Sequence, residues 1–575
     1  MDMTSPEKKT FRINKTKILT ALIYAGLLWF IFAVLIMPNL NTVVSVVYQD
    51  GAFTTSPFVR LFGSARATQA LRNSFILAPA LSVTVGIVGI FIVLATEYFD
   101  IKGAKILRLG YMTSLIYSGI ILVSGYRFMY GANGFLTNIL ASIFPNFNTG
   151  WFQGFWAVLF VMTFATTGNH LIFLRTSIRS VDFQTIEAAK NLGASQFTIL
   201  RRVVLPVLTP SLLAVTVFTF YIGLNATSAP LLVGGPDFQT INPMILTFSR
   251  TVGSRDLAAL MALILGLASI VLIMIMAQLE KRGHYLSVSK VKTTMVKQKI
   301  SNPIANILVH IVAYGLFVVY MAPVVMVTLF SFTDASAIAT RTFSIDSLTL
   351  ENYINVFTRA SGYRPIVISI MFSFIAAAVV GLLIILVCRM ITKYKGKLSS
   401  FVEYAFMIPW LLPSVLIAIG LVMAFNQPRW YMFNTVLTGT MIIMIMAYVI
   451  IRIPFTLRIT RAAFFSLDDS LEDAAKNLGA KAMYTFFIVL LPIIMPTVLA
   501  VFALNFNFLM TDFDTSVFLY HPLQLPLGVH VQILTNQDAN ADNVALTFVY
   551  AVIMMVVSSI VLYVVYGRGT RETKQ

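Results

Sequence analysis

The run Ala-Ala-Lys-Asn-Leu-Gly-Ala occurs twice in this 575-residue chain, at Ala188–Ala194 and, 286 residues later (474 − 188), at Ala474–Ala480. The match extends outward at the same offset. Arg175 answers Arg461, Asp182 answers Asp468, Leu205-Pro206 answers Leu491-Pro492, and Pro236 answers Pro522. A repeat of this length means that one half was duplicated and fused, so the fold has to be two copies of one architecture. What stayed the same is a polar loop inside an otherwise apolar chain.

Composition says what that architecture is. Hydrophobic residues make up 58% of the chain and charged residues 11%, with a mean hydropathy of +0.84; a soluble domain carries about 25% charged residues. Twelve apolar stretches follow one another, each near the ~20 residues a helix needs to cross a bilayer. The first six fall at roughly 19–47, 72–96, 106–131, 151–175, 206–232 and 257–279. The second six fall at roughly 304–332, 365–391, 401–427, 434–457, 493–516 and 544–566. The expected fold class is an all-α membrane protein of about twelve transmembrane helices. Six per half is an even number, so the repeat is parallel, related by an axis along the membrane normal.

Most of the 41 Lys and Arg lie in segments that share a side with the N-terminus, which puts both termini in the cytoplasm. The same asymmetry accounts for the net charge of +18, and no basic soluble module is long enough to bind nucleic acid. The division that follows is a cytoplasmic N-tail at 1–18 and a first half at 19–279, with its core at 72–279. A basic cytoplasmic linker at 280–303 leads to a second half at 304–566, with its core at 365–566, and a C-tail at 567–575. The first stretch is too long for a signal peptide and has no convincing cleavage site near Pro38, so it reads as an uncleaved helix. Cys388 is the single cysteine, which excludes an intrachain disulfide.

Both copies of the repeated run lie between the fourth and fifth stretches of their half, on the cytoplasmic side, and read as short helices. In the second copy Ser466, with Asp469 three residues on, forms a capping box; in the first, Ser180 or Asp182 caps. Lys190 and Lys476 fall late, which suits the helix dipole. Gly193 and Gly479 sit where a left-handed residue ends a helix, and Pro206 and Pro492 mark the return into the membrane as first-turn prolines. Two alanines beside an acid let a helix backbone sit deep in a partner's groove. A helix lying on lipid needs a stronger apolar face than alanines supply.

Glu187-Ala188-Ala189, three residues, Gly193 and then Leu205-Pro206 resembles the EAA loop of binding-protein-dependent ABC importer permeases. The second copy reads Asp473-Ala474-Ala475 with Gly479 and Leu491-Pro492; its acid is one carbon shorter and has Glu472 beside it. The chain is similar to the type I permeases in which both transmembrane halves are fused, among them ferric-iron, thiamine and 2-aminoethylphosphonate permeases. The fused form points to the ferric-iron branch, by analogy alone; thiamine, 2-aminoethylphosphonate or a polyamine would use the same machinery. The resemblance implies that Glu187, Ala188, Ala189, Gly193, Asp473, Ala474, Ala475 and Gly479 dock two ATP-binding subunits. It also implies an extracytoplasmic substrate-binding protein on the other side of a bacterial inner membrane, and transport by alternating access.

No G-x-x-x-x-G-K-[ST] motif occurs, so the chain reads as a transporter subunit without a cofactor, with ATP hydrolysis expected on a separate chain. The competing class is an ion-coupled secondary transporter, which places ionisable groups near the midplane. Arg127 reads as snorkelling to the outer surface. Arg389 and Glu97 fall at the ends of stretches, and Asp512 and Asp514 near the outer interface. Only His170 and His310 then remain at mid-depth, which argues against ion coupling. The stretch 493–516 is the most polar: on a helical wheel Asn505 and Asp512 share one face, and Asn507, Thr511 and Asp514 another. Thr219 and Asn225 stand at the offsets of Asn505 and Thr511. The candidate pathway residues are therefore Thr219, Asn225, Asn505, Asn507 and Thr511, with interhelical hydrogen bonding as the alternative role. His521 and His530 have no clustered carboxylate or cysteine and read as surface histidines, so no metal site is expected.

Overall fold

A helix is what an apolar stretch forms when its backbone can find no partner in hydrocarbon but itself, and here the long stretches follow that rule. The computed structural model describes residues 15–49, 51–116, 119–178, 181–251, 253–282, 296–394, 396–535 and 540–572. Ser180, most of the linker and the outer parts of both tails lie outside the described residues. The first half contains α1 (Ala21–Val47), α2 (Ala65–Tyr98), α3 (Ala104–Tyr111), α4 (Gly119–Tyr130), α5 (Phe155–Arg175), α6 (Phe183–Asn191), α7 (Gln196–Leu224) and α8 (Arg255–Leu279). The second contains α9 (Pro303–Ser331), α10 (Ala360–Lys393), α11 (Lys397–Leu411), α12 (Ser414–Phe425), α13 (Met441–Phe465), α14 (Asp469–Asn477), α15 (Ala482–Met510) and α16 (Ala541–Val561).

Among the described residues ten helices are long and apolar enough to cross a membrane, or eleven if α11 and α12, bent by 106°, count as one. The expectation of twelve uninterrupted spans fails at the third stretch of each half, and the failure is symmetric. In the first half the stretch is cut between α3 and α4, and α4 opens on Gly119 at φ +63°. In the second half Pro413 forces Leu412 into extended backbone (φ −107°, ψ 133°), because the ring excludes the helical region for the residue before it. The fold class stands: an all-α membrane protein of two matched repeats, with ten or eleven spans among the described residues.

The prolines also act differently from expectation. The helices begin at Gln196 and Ala482, ahead of the Leu-Pro pairs, and run through them. Each widens to a π turn, at Leu200–Val204 and at Phe486–Leu490, so that the Leu205 N–H reaches the Leu200 carbonyl and the Leu491 N–H reaches Phe486. The wider turn moves the bond of the residue before each proline back by one position, which makes room for a ring that has no N–H of its own to donate.

The halves exchange their first helices. Leu27, Ile31, Val34 and Leu35 of α1 are buried among Phe372, Ile417, Leu421 and Phe425 of the second half. Trp29 Nε1 donates to the Tyr431 carbonyl at 2.9 Å. In the mirror arrangement, Tyr320, Val327 and Phe330 of α9 are buried with Tyr111 and Phe128 of the first half. The Tyr111 hydroxyl donates to the Ala313 carbonyl at 2.7 Å. Gly110 lets the arm come close: a Cβ there would stand 2.3 Å from the Phe317 ring.

Candidate functional site

Two matched helices, α6 and α14, present the repeated run. Asp182 caps α6, its Oδ1 accepting from Gln184 N at 3.0 Å, and Asp468 caps α14, accepting from Ser470 N at 2.9 Å. The expected capping box at Ser466 is not formed. α13 extends to Phe465, and Ser466 closes it, donating to the Ala463 carbonyl. At the other end both helices finish in the same motif. The Gly193 N–H bonds the Lys190 carbonyl and the Ala194 N–H bonds Ala189; Gly479 and Ala480 do the same to Lys476 and Ala475. This crossed pair needs a left-handed residue, and Gly193 (φ +78°) and Gly479 (φ +81°) supply it.

The consequence is what faces outward. Glu187, Ala188, Asp473 and Ala474 are exposed, whereas Ala189 and Ala475 turn half inward. Leu192 and Leu478, at the tips, are 88% and 89% exposed. Sequence reasoning passed over these leucines, although they belong to the repeated run. Glu187 and Asp473 make no ion pair among the described residues. The two helices are anchored to the membrane part by different means. In α6 the anchor is Ile186, fully buried. In α14 the same position is Glu472, gripped by both terminal nitrogens of Arg389 at 2.6 and 2.9 Å. That grip holds the Glu472 carboxyl below the ordinary glutamate range. Nearby, Glu97 receives Arg108 and Arg175 at 3.0 and 3.2 Å, and Arg461 pairs with Glu403.

A cavity of about 280 Å³ lies in the seam between the halves, between α7 and α8 on one side and the α11–α12 bend, α13 and the end of α15 on the other. Its wall overturns the expectation that no strong charge sits at mid-depth. Arg452 stands midway along the 25 residues of α13. Its guanidinium carbon lies 4.3 Å from the Phe455 ring and 4.4 Å from the Phe508 ring. An arginine at the centre of a membrane helix costs about 2.5–3.5 kcal/mol on insertion scales, and here its Nε is taken by Asn505 and its faces by the two phenylalanine rings. Its only sequence signal was to be the single charge within the apolar stretch 434–457. Asp512 and Asp514 line the same cavity.

None of the five expected pathway residues lines this cavity. Asn505 is fully buried behind the wall: its Oδ1 accepts from Arg452 Nε at 2.8 Å and its Nδ2 donates to Thr456 at 2.8 Å. Thr219, also buried, donates to the Val215 carbonyl of its own helix. Asn225 and Thr511 occupy matching C-cap positions on α7 and α15. Asn507 is half-buried, and its Oδ1 has no hydrogen-bond partner. The two helical stripes fail past Met510 because α15 ends there, so residues 511–514 follow a turn. Arg127 is tied to the segments beyond the ends of the helices on the side away from both termini. It donates to the Thr535 carbonyl at 2.6 Å and lines a second cavity with Arg341, Val544 and Phe548. His170 is buried and fills the space left by Gly89, while His310 Nδ1 bonds the Asn306 carbonyl. Among the described residues no group of three His, Cys, Asp or Glu could hold a metal ion.

A duplicated membrane frame, with a charged seam and two matched, exposed helices, is the build of a permease. The chain belongs to the family described as binding-protein-dependent transport system inner membrane component, whose profile matches residues 26–283 and 381–572. It is a permease of the ABC importer class. A probable ABC transporter permease protein, y4fN of Sinorhizobium fredii, is 35% identical over 93% of this chain and 94% of its own length. The ferric transport system permease FbpB of Actinobacillus pleuropneumoniae is 23% identical over 85% of this chain and 70% of its own length. A putative 2-aminoethylphosphonate transport system permease, PhnV of Salmonella paratyphi A, is 26% identical over 36% of this chain and 76% of its own length.

Proposed function

We propose that this chain, through its halves at 19–279 and 304–566, forms the whole transmembrane path of an importer driven by a separate pair of ATP-binding subunits. These dock on α6 and α14, on the cytoplasmic side with both termini and the linker. A soluble binding protein delivers cargo from the opposite side. The observation that carries the reading is the same docking helix built twice, each ending in an outward leucine. A groove on each ATP-binding subunit would take the exposed acid, the small alanine and the leucine. Closing that pair on ATP would then move α6 and α14 together and rock the halves about the seam.

Ferric iron is the first cargo reading, since the FbpB relative runs along most of the chain. The seam favours a second cargo, a zwitterion such as 2-aminoethylphosphonate, because Arg452 and Asp514 offer both signs in one cavity. Charges in the seam are also what an ion-coupled carrier would use. Proteoliposomes containing the chain, its ATP-binding pair and its binding protein separate these classes. Uptake should require internal ATP and survive a protonophore. Uptake by the chain alone that collapses with the protonophore would overturn the importer reading.

A further inference from the structure

We propose that the seam cavity is a binding site for a small zwitterion, a solute carrying an oxyacid anion at one end and an amine cation at the other. The proposal rests on the importer reading and takes its second cargo reading, the zwitterion, against ferric iron. Arg452 has its Nε bound to Asn505 and its flat faces covered by Phe455 and Phe508. What is left is the terminal pair of nitrogens, which has no protein acceptor among the described residues. A guanidinium fixed with its fork open matches the paired oxygens of a carboxylate or phosphonate.

The opposite sign stands on the same wall. Asp514 Oδ1 is buried with no hydrogen-bond partner. Asp512, in contrast, is used by the fold: its oxygens accept from the N–H groups of Thr515 and Ser516 and from the Thr515 hydroxyl. Arg452 pairs with neither carboxylate among the described residues. A protein interior built for stability alone would pair such groups or replace them with apolar ones.

The duplication supplies an internal control. At the 286-residue offset the first half has Thr166, Thr219 and Ser228 where the second has Arg452, Asn505 and Asp514. The shared frame therefore packs without charge at these places, and the charges serve something the frame does not need. Tyr221, Phe218 and Trp410 supply an apolar wall for the body of the solute. A simple anion entering the cavity meets Asp514, and a simple cation meets Arg452. A solute with both charges satisfies both groups.

The test uses the full chain with its ATP-binding pair in nanodiscs, radiolabelled 2-aminoethylphosphonate and β-alanine as probes, and ethylphosphonate, ethylamine and ferric citrate as competitors. At least one zwitterion should bind saturably. Ethylphosphonate and ethylamine should each compete at least about tenfold less well, and ferric citrate not at all. Arg452→Gln should weaken binding by at least about tenfold. The isosteric Asp514→Asn should bring ethylphosphonate within about twofold of the zwitterion. Absence of saturable binding by either zwitterion, displacement by ferric citrate, or unchanged binding in Arg452→Gln would overturn the proposal. Should Arg452→Gln fail to assemble, Asp514→Asn decides: an unchanged preference for the zwitterion overturns it. Failure of the ATP-binding pair to co-purify with the unaltered chain would instead count against the importer reading, and the site would then be measured on the chain alone.

Discussion

Replacing Leu192 and Leu478 with alanine should weaken docking of the ATP-binding pair while leaving the permease itself intact. Both side chains are almost wholly exposed, so neither contributes to the chain's own packing. Burying a leucine side chain in a partner's groove stabilises the complex by about 2 kcal/mol. Ordering that side chain offsets about 0.5 kcal/mol of the gain. The remainder, about 1.5 kcal/mol, corresponds to about tenfold in dissociation constant for each leucine. The two helices lie on different halves and share no neighbours, so the effects should add to about a hundredfold in the double variant. Titration of labelled ATP-binding subunits against each variant in nanodiscs measures this, with the unfolding temperature as control. A double variant that binds within about twofold of the unaltered chain would refute the argument. So would a loss confined to one leucine, since the two loops are built alike.

Three further outcomes are expected. Gly110→Ala drives a methyl group into the Phe317 ring and should destabilise the chain by about 1–3 kcal/mol, with recovery in the Gly110→Ala, Phe317→Leu double variant, read by thermal unfolding in detergent. Glu472 has its pKa lowered by Arg389, so its stabilising effect is complete above the ordinary glutamate range and is lost as pH falls through its lowered value. The difference in unfolding temperature between the unaltered chain and Glu472→Gln should therefore close on acidification, and a gap that widens would falsify the assignment. A cysteine replacing Lys292 on a Cys388→Ser background should label only from the cytoplasmic side, and labelling of intact cells by an impermeant reagent would reverse the orientation.

Some of this molecule was legible in the sequence because it is local. The repeated run, Asp182 as one of two offered caps and the terminal glycines all act within a few residues, and α6 formed where those signals placed it, whereas α14 is capped by Asp468 and not by the Ser466 box that the sequence offered. Features that depend on the partner across a contact were not legible. Hydropathy sees Ile, Met and Val around Arg452 and counts a span, since one arginine hardly lowers the mean over about 20 residues. Only the fold shows Asn505, Phe455 and Phe508 closing round it. The helical wheel placed Thr511 and Asp514 on a stripe because nothing local announces that α15 stops at Met510. The broken third stretch of the second half carried a better hint in Pro409 and Pro413, which the apolar average around them concealed.

The crossing of α1 and α9 also sets an order of manufacture. Membrane chains are inserted from the N-terminus, so when α8 has left the ribosome, the residues that will enclose α1, from Phe372 to Phe464, do not yet exist. The groove at Gly110, Tyr111 and Phe128 is likewise still open, waiting for an arm that begins at Pro303. The first half must therefore stand in the bilayer incomplete until the seventh stretch arrives to fill it. Carrying both halves on one strand means the missing arm is always tethered to the groove it has to find, at a local concentration no free subunit would reach. A chain that ends near the linker would leave the groove at Gly110 and Tyr111 open and the Leu27–Leu35 part of α1 without the residues that bury it.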